Sequence, residues 1–236
     1  MNYAPKFCIA LVILILFFTS SVNAAGSKLL GTSGVTSIEG SAGGGLIPWA
    51  PLGGDATRDE LGFSIVASEV DVDDYNMSVH GALINFRDRI EFSFAHQDFY
   101  VDALSQSVRQ NIIGLKVRLF GDLVYDTLPV ISIGTQQKRL IDAGVINLVG
   151  AKDSSGTDFY LSAAKAWIDG LFHHTSFVNA NIRYSNANEL GLLGYGGDNA
   201  RSKFLFETAL GVFVGNNVAL GVEFRFNRSQ MSKFLN

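Results

Sequence analysis

From Glu60 onward, large apolar residues return at every second position, in segments of roughly ten residues divided by turn-forming ones. A period of two places alternate side chains on opposite faces of an extended chain and predicts strands rather than helices. In Ile90 to His96 the residues Ile90, Phe92 and Phe94 alternate with Glu91, Ser93 and Ala95, so one face is greasy and the other wet. The same alternation runs through Leu61, Phe63, Ile65 and Ala67. It also sets Ile113, Leu115 and Val117 against Lys116 and Arg118, and Val178, Ile182 and Tyr184 against Asn179, Asn181 and Arg183. Near the end, Phe204, Phe206, Leu210, Val218, Leu220, Val222 and Phe224 share one face, with Lys203, Glu207, Glu223 and Arg225 on the other. Nine strands are expected, starting near residues 60, 75, 90, 109, 128, 157, 174, 201 and 218.

A soluble β-sandwich also alternates, so the connections carry the choice. Short ones (87–89, 168–172, 214–217) interleave with long polar ones (101–109, 140–157, 186–200), and the segment 121–128 takes a short-turn slot although it is long for one. Short turns at one end and long loops at the other are the habit of transmembrane β-barrels. Aromatic residues gather at strand ends, as Tyr75, Phe86, Phe99, Tyr100, Phe120, Tyr125, Trp167, Phe172 and Tyr184, where an interfacial girdle would sit. The fold expected is therefore an all-β, antiparallel transmembrane barrel over residues 59–236. Such barrels close with an even strand number, and nine is odd. A chain cut short at its C-terminus answers this; a tenth strand over Thr36 to Trp49 is the alternative.

The N-terminus fits that destination. Lys6 precedes an apolar run, Phe7 to Phe18, too short to cross a bilayer, and small residues follow to Ala24. Residues 1–24 read as a secretory signal peptide, and the expected location is the bacterial outer membrane. The only cysteine, Cys8, lies in that signal, so the remainder supports neither a disulfide nor a thiolate metal site. With Lys6 removed, the 18 basic residues fall to 17 against 22 acidic ones, a net charge of −5 without a basic cluster. That balance speaks against nucleic acid as a partner.

Between signal and barrel lies a Gly-rich segment, residues 25–58, flexible and thin and a poor lipid-facing strand. It is expected inside or under the barrel as a plug, with Gly40, Gly43, Gly44, Gly45, Pro48 and Trp49 as its candidate residues.

Six stretches carry a resemblance: Gly34 to Ala50 (GVTSIEGSAGGGLIPWA), Thr57 to Glu60 (TRDE), Asp88 to Ser93 (DRIEFS), Gly121 to Asp126 (GDLVYD), Gly156 to Tyr160 (GTDFY) and Asn188 to Asp198 (NELGLLGYGGD). In this order they resemble a proteobacterial family catalogued only as domain of unknown function number 3034. Members of that family continue through what reads as three further strands, so the resemblance implies a twelve-stranded barrel of which this chain holds nine. It implies no activity, and no catalytic or ligand residue is carried over from it.

Candidate chemistry is sparse. His174 and Ser176 have the spacing of a lipid hydrolase dyad, but no orienting acid stands near, and Arg183 sits where Ser185 would need a base. His173 and His174, as neighbours on a strand, would face opposite ways. Asp71, Asp73 and Asp74 form an acidic tip whose spacing departs from an EF-hand. No catalytic residue, cofactor or metal centre is expected. The inward face carries Glu91, Lys116, Arg118, Arg183, Glu207, Glu223 and Arg225, either as a mutually paired filling or as a constriction that selects small solutes. The function expected is a narrow plugged channel for small solutes, apolar or aromatic ones among them. The alternative is a structural or surface-recognition barrel acting through loops 140–157 and 186–200, and an outer-membrane lipid hydrolase stands behind both. Its partners would be outer-membrane lipid, the barrel assembly machinery and an unnamed solute.

A three-residue turn at Arg87-Asp88-Arg89 sets the register of its hairpin: Phe86 faces Ile90, Ile84 faces Phe92, Ala82 faces Phe94 and His80 faces His96, all on the apolar side. The two histidines then meet near the outer interface, as rim anchors rather than a metal pair.

Overall fold

The structure, a computed structural model, describes residues 35–72, 75–101, 106–141, 152–187, 189–192, 194–196, 202–214 and 218–226. The expected signal peptide (1–24), the tip residues Asp73 and Asp74, most of the 140–157 loop and the last residues of the chain lie outside that set. The described residues form nine strands: β1 (Leu61–Val72), β2 (Tyr75–Phe86), β3 (Ile90–Val101), β4 (Gln106–Phe120), β5 (Val130–Leu140), β6 (Ser155–Trp167), β7 (Ser176–Ser185), β8 (Lys203–Phe213) and β9 (Ala219–Arg225). They pair antiparallel in sequence order, each with its neighbour, in one sheet whose edges are β1 and β9. Two short 3-10 turns, Leu171–His173 and Glu189–Gly191, are the helical elements among the described residues.

The first hairpins show why the register is fixed. Arg87 and Asp88 both take left-handed backbone (φ 54° and 50°), the conformation whose twist matches that of the flanking strands, and Phe86 O accepts a bond from Arg89 N. Phe86 consequently pairs with Ile90, Ile84 with Phe92, Ala82 with Phe94 and His80 with His96. His96 turns its ring to Asn111, its partner on β4, with Nδ1 2.7 Å from Asn111 Oδ1. At the other end of β4 the pairing slips between Arg118 and Phe120, a bulge.

The sheet is curled, because a single short segment, residues 35–54, touches β2 through Asn85 and β9 through Glu223 from the same side. Its two faces are inverted relative to a water-soluble fold. On the convex face Phe63 and Ile65 are 73% and 75% exposed, and Phe92, Ile113, Phe159, Phe204 and Phe206 are likewise open. On the concave face Glu91, Lys116, Gln136, Lys138, Asp158, Asn179, Arg183 and Glu207 are buried. Along β2, β3 and β4 the convex face is apolar near the short turns and becomes polar past His80, His96 and Asn111.

Four expectations need correction. Thr36 to Trp49 is not a tenth strand: it holds isolated bridges, Thr36 to Ala42 and Gly43 to Pro48, and lies inside the curl. Tyr75 and Phe99 do not belong to an outer girdle, since they share the concave parity of Val79 and Gln97 and stack with ring centroids 5.6 Å apart. β4 begins at Gln106, so the connection after β3 is shorter than 101–109. Finally, β7 starts at Ser176, which leaves His173 and His174 in a turn rather than on a strand.

The segment 121–128 is long because it folds inward. Asp122 Oδ1 accepts from Val124 N and Tyr125 N at 2.9 and 2.8 Å, an Asx turn. Leu123 and Val124 thereby pack against Ile47, Ala50, Val130, Ala164, Ala166, Phe177 and Ala209, an apolar cluster that closes the short-turn end of the interior.

Candidate functional site

An irregular segment threaded through an interior cannot bond to itself as a helix or sheet does, so its backbone groups need partners from elsewhere. The concave side chains are those partners. Gln97 Nε2 donates to Ile38 O at 2.5 Å, Asn85 Nδ2 to Gly53 O at 2.8 Å, and Ser132 Oγ to Ala50 O at 2.6 Å. Asn179 Oδ1 accepts from Ala50 N at 2.9 Å, and Asn181 Nδ2 donates to Pro48 O at 2.7 Å. Small residues let the segment lie close to the sheet. Gly40 is the sharpest case: its φ is +86°, and a Cβ there would stand 2.9 Å from Ala95 Cβ.

Three carboxylates organise the seat. Glu91, opposite Lys116 across β3 and β4, accepts from Ala42 N at 3.1 Å and Gly53 N at 2.9 Å. Lys116 Nζ lies 3.1 Å from Glu91 and donates to the carbonyls of Ala42, Trp49 and Pro51 at 3.3, 3.0 and 3.0 Å. Glu223 accepts from Leu46 N and Ile47 N at 2.6 and 3.3 Å and from Trp49 Nε1 at 2.7 Å. Trp49 also packs on Phe177, with ring centroids 4.5 Å apart.

The third carboxylate, Glu39, belongs to the segment itself. Its Oε1 is 2.6 Å from Lys138 Nζ and 3.2 Å from Arg225 Nη1, and its Oε2 is 2.9 Å from Arg183 Nη2. Around it Asp158 Oδ2 meets Lys138 at 2.9 Å and Arg183 at 3.2 Å, and Glu207 Oε1 meets Arg183 Nε and Arg225 Nε, each at 2.8 Å. Three acids and three bases therefore balance within a buried interior. Burial by itself raises the Glu39 carboxyl, but Arg183, Arg225 and Lys138 outweigh it and hold the group well below the ordinary carboxylate range. Leu190 O accepts from Lys138 Nζ at 3.2 Å, and Tyr195, fully buried, bridges Asp153 and Ala187. Part of the 186–200 loop thus covers the cluster from the long-connection end.

All seven inward charges named from the sequence can be placed. Glu91, Lys116, Arg183, Glu207, Glu223 and Arg225 contact the segment or its cluster. Arg118 does not: it stands at the short-turn end, paired with Asp88 and 3.6 Å from Asp122, and donates to Gly121 O. Glu39, Lys138 and Asp158 were missed by the sequence reading. Polar neighbours on both sides of Lys138 (Gln136, Gln137, Arg139) erase the alternation that would have oriented it, and Asp158 opens its expected strand directly after the 140–157 loop, where polar residues on one side leave the facing equally open. Glu39 left one legible trace, as the sole acid between residues 25 and 54.

The sites weighed for other chemistry are otherwise occupied. Ser176 Oγ donates to His174 O at 3.2 Å and accepts from Leu171 N at 2.5 Å, while His173 Nδ1 lies 3.0 Å from Asp169 Oδ1. Ser176 is therefore held by turn backbone and not by an imidazole. Among the described residues no group of three or more His, Cys, Asp or Glu side chains is placed to hold a metal ion.

A family model described as "Protein of unknown function (DUF3034)" matches residues 32–235, and the chain belongs to that family. No curated protein and no solved structure matches it.

Proposed function

We propose that this member of the DUF3034 family is an outer-membrane β-barrel protein, a narrow channel for small solutes held shut by its own residues 35–54. The observation that carries the membrane reading is the inversion of the two faces. Burying an apolar side chain is worth about 1.5–3 kcal/mol, and a sheet that leaves Phe63, Ile65, Phe92, Phe204 and Phe206 on its convex face forgoes that in water and recovers it in lipid. The concave face meanwhile satisfies polar groups that lipid could not. The channel reading rests on what fills the interior: a length of thin chain held by side-chain contacts, which can be withdrawn without breaking a single strand pairing.

Planar-bilayer recording tests it. The full chain is expected to be silent or nearly so, and removal of residues 25–50 is expected to open a steady conductance. Silence in both forms, from protein shown by circular dichroism to be folded in lipid, sinks the channel. A second reading, a structural or surface-recognition barrel, is favoured by the completeness of the filling, since the six charges of the Glu39 cluster are all paired. Silence in both forms is its expected result.

A further inference from the structure

The cations that hold Glu39 all come from the sheet. Lys138 comes from β5, Arg183 from β7 and Arg225 from β9, and each oxygen of the Glu39 carboxylate receives two of their donors: Lys138 Nζ and Arg225 Nη1 on Oε1, and Arg183 Nη2 with Arg225 Nη2 (3.3 Å) on Oε2. Planar guanidinium groups arranged in this way match the fork of a carboxylate and not merely its charge. Take the Glu39 carboxylate away, and three cations face two anions, Asp158 and Glu207, leaving one positive charge uncompensated in a buried place, which is costly. The seat is not completely filled. A cavity of about 20 Å³, room for one water, is lined by Glu39, Lys138, Asp158, Arg183 and Arg225 and reaches Ser185 and Leu190 on the long-connection side.

We propose that Lys138, Arg183 and Arg225 form a carboxylate-binding site in which Glu39 is an internal stand-in, and that the displaced segment yields this site to the carboxylate of a small organic acid. Its role in passage rests on the channel reading above; the site itself does not. The charge count also sets the preference. One net positive charge suits a monocarboxylate, whereas a second carboxylate would meet Asp158 or Glu207, and an amine would meet the three cations.

The test is chemical rescue in the full chain, folded in detergent micelles. Glu39→Ala is expected to unfold at a lower temperature than the parent, and propionate at matched ionic strength is expected to raise its midpoint by several degrees, saturably. Propionamide, which has the same shape without the charge, should do nothing, and the parent should not respond to propionate. A folded Glu39→Ala protein indifferent to propionate overturns the assignment. If Glu39→Ala does not fold, Glu39→Gln serves: propionate should then compete with the weakly held amide and expose Trp49 to an aqueous quencher, and no change in quenching overturns the proposal equally. Adding Arg225→Met should abolish either response, and a response that persists overturns it too. The two readings fail separately, because rescue without conductance removes the channel and keeps the site, whereas conductance without rescue does the reverse.

Discussion

A lysine ammonium carries three protons, and Lys116, 1% exposed, directs them at one carboxylate and three backbone carbonyls. Replacing it by Met removes the charge but keeps the length, leaving Glu91 buried and without its counter-ion. Breaking one side of a buried pair costs about 3–5 kcal/mol, so Lys116→Met should lower the urea midpoint markedly, while Lys116→Met with Glu91→Gln should recover part of the loss. Glu39 gives a pH dependence whose sign is fixed by its environment. Its carboxyl titrates well below the ordinary carboxylate range in the folded chain, so its contribution is present above that ordinary range and disappears as the pH falls through the lower folded value. Trp49 fluorescence in a Trp167→Phe background should therefore be unchanged from pH 7 to pH 5 and shift only on stronger acidification; a transition near neutrality would contradict this. At this scale the sequence was legible wherever a charge interrupted an otherwise apolar alternation, as at Glu91 or Arg183. Where both faces were polar, as around Lys138, it was mute, because parity needs contrast.

Strand positions and hairpin register were readable because a period of two cannot slip by one residue without exchanging the faces. The threaded segment was readable as a location but not as a conformation: its glycines announce thinness, whereas the partners of its backbone come from strands spread along the whole chain, from Asn85 on β2 to Glu223 on β9. Gly40 tests that seat. In Gly40→Val a β-branched residue must adopt left-handed backbone and place its Cβ 2.9 Å from Ala95 Cβ. The segment should lose its place while the strands persist, giving acrylamide access to Trp49 with an unchanged far-ultraviolet spectrum; continued protection of Trp49 would show that the close approach is relieved at no cost. The turn 121–128 was legible as long for its slot, though not as folded inward. Its Asx turn and inward Leu123 and Val124 are a floor, and Asp122→Ala, which removes two acceptor contacts, should loosen it by about 1 kcal/mol in unfolding measurements.

Taken whole, the molecule puts its apolar surface outside and its charges within, and a substitution can ask which solvent that outside was made for. Phe92 is 54% exposed on the convex face. In a lipid-facing position Phe92→Arg should cost about 2–4 kcal/mol on refolding into vesicles, depending on depth. In a water-facing one it should be neutral and improve solubility, and that outcome would end the membrane reading.

The covalent link between the threaded segment and β1 has a kinetic meaning. Only residues 55–60 separate Gly54 from Leu61, and so short a stretch spans roughly 25 Å when fully drawn out. On the channel reading, a segment withdrawn from the interior on that leash never enters the bulk. Its return is a first-order event, indifferent to protein concentration, and the interior experiences it at an effective concentration on the order of millimolar. A free peptide of the same sequence would have to be supplied above that level to occupy the lumen in its stead.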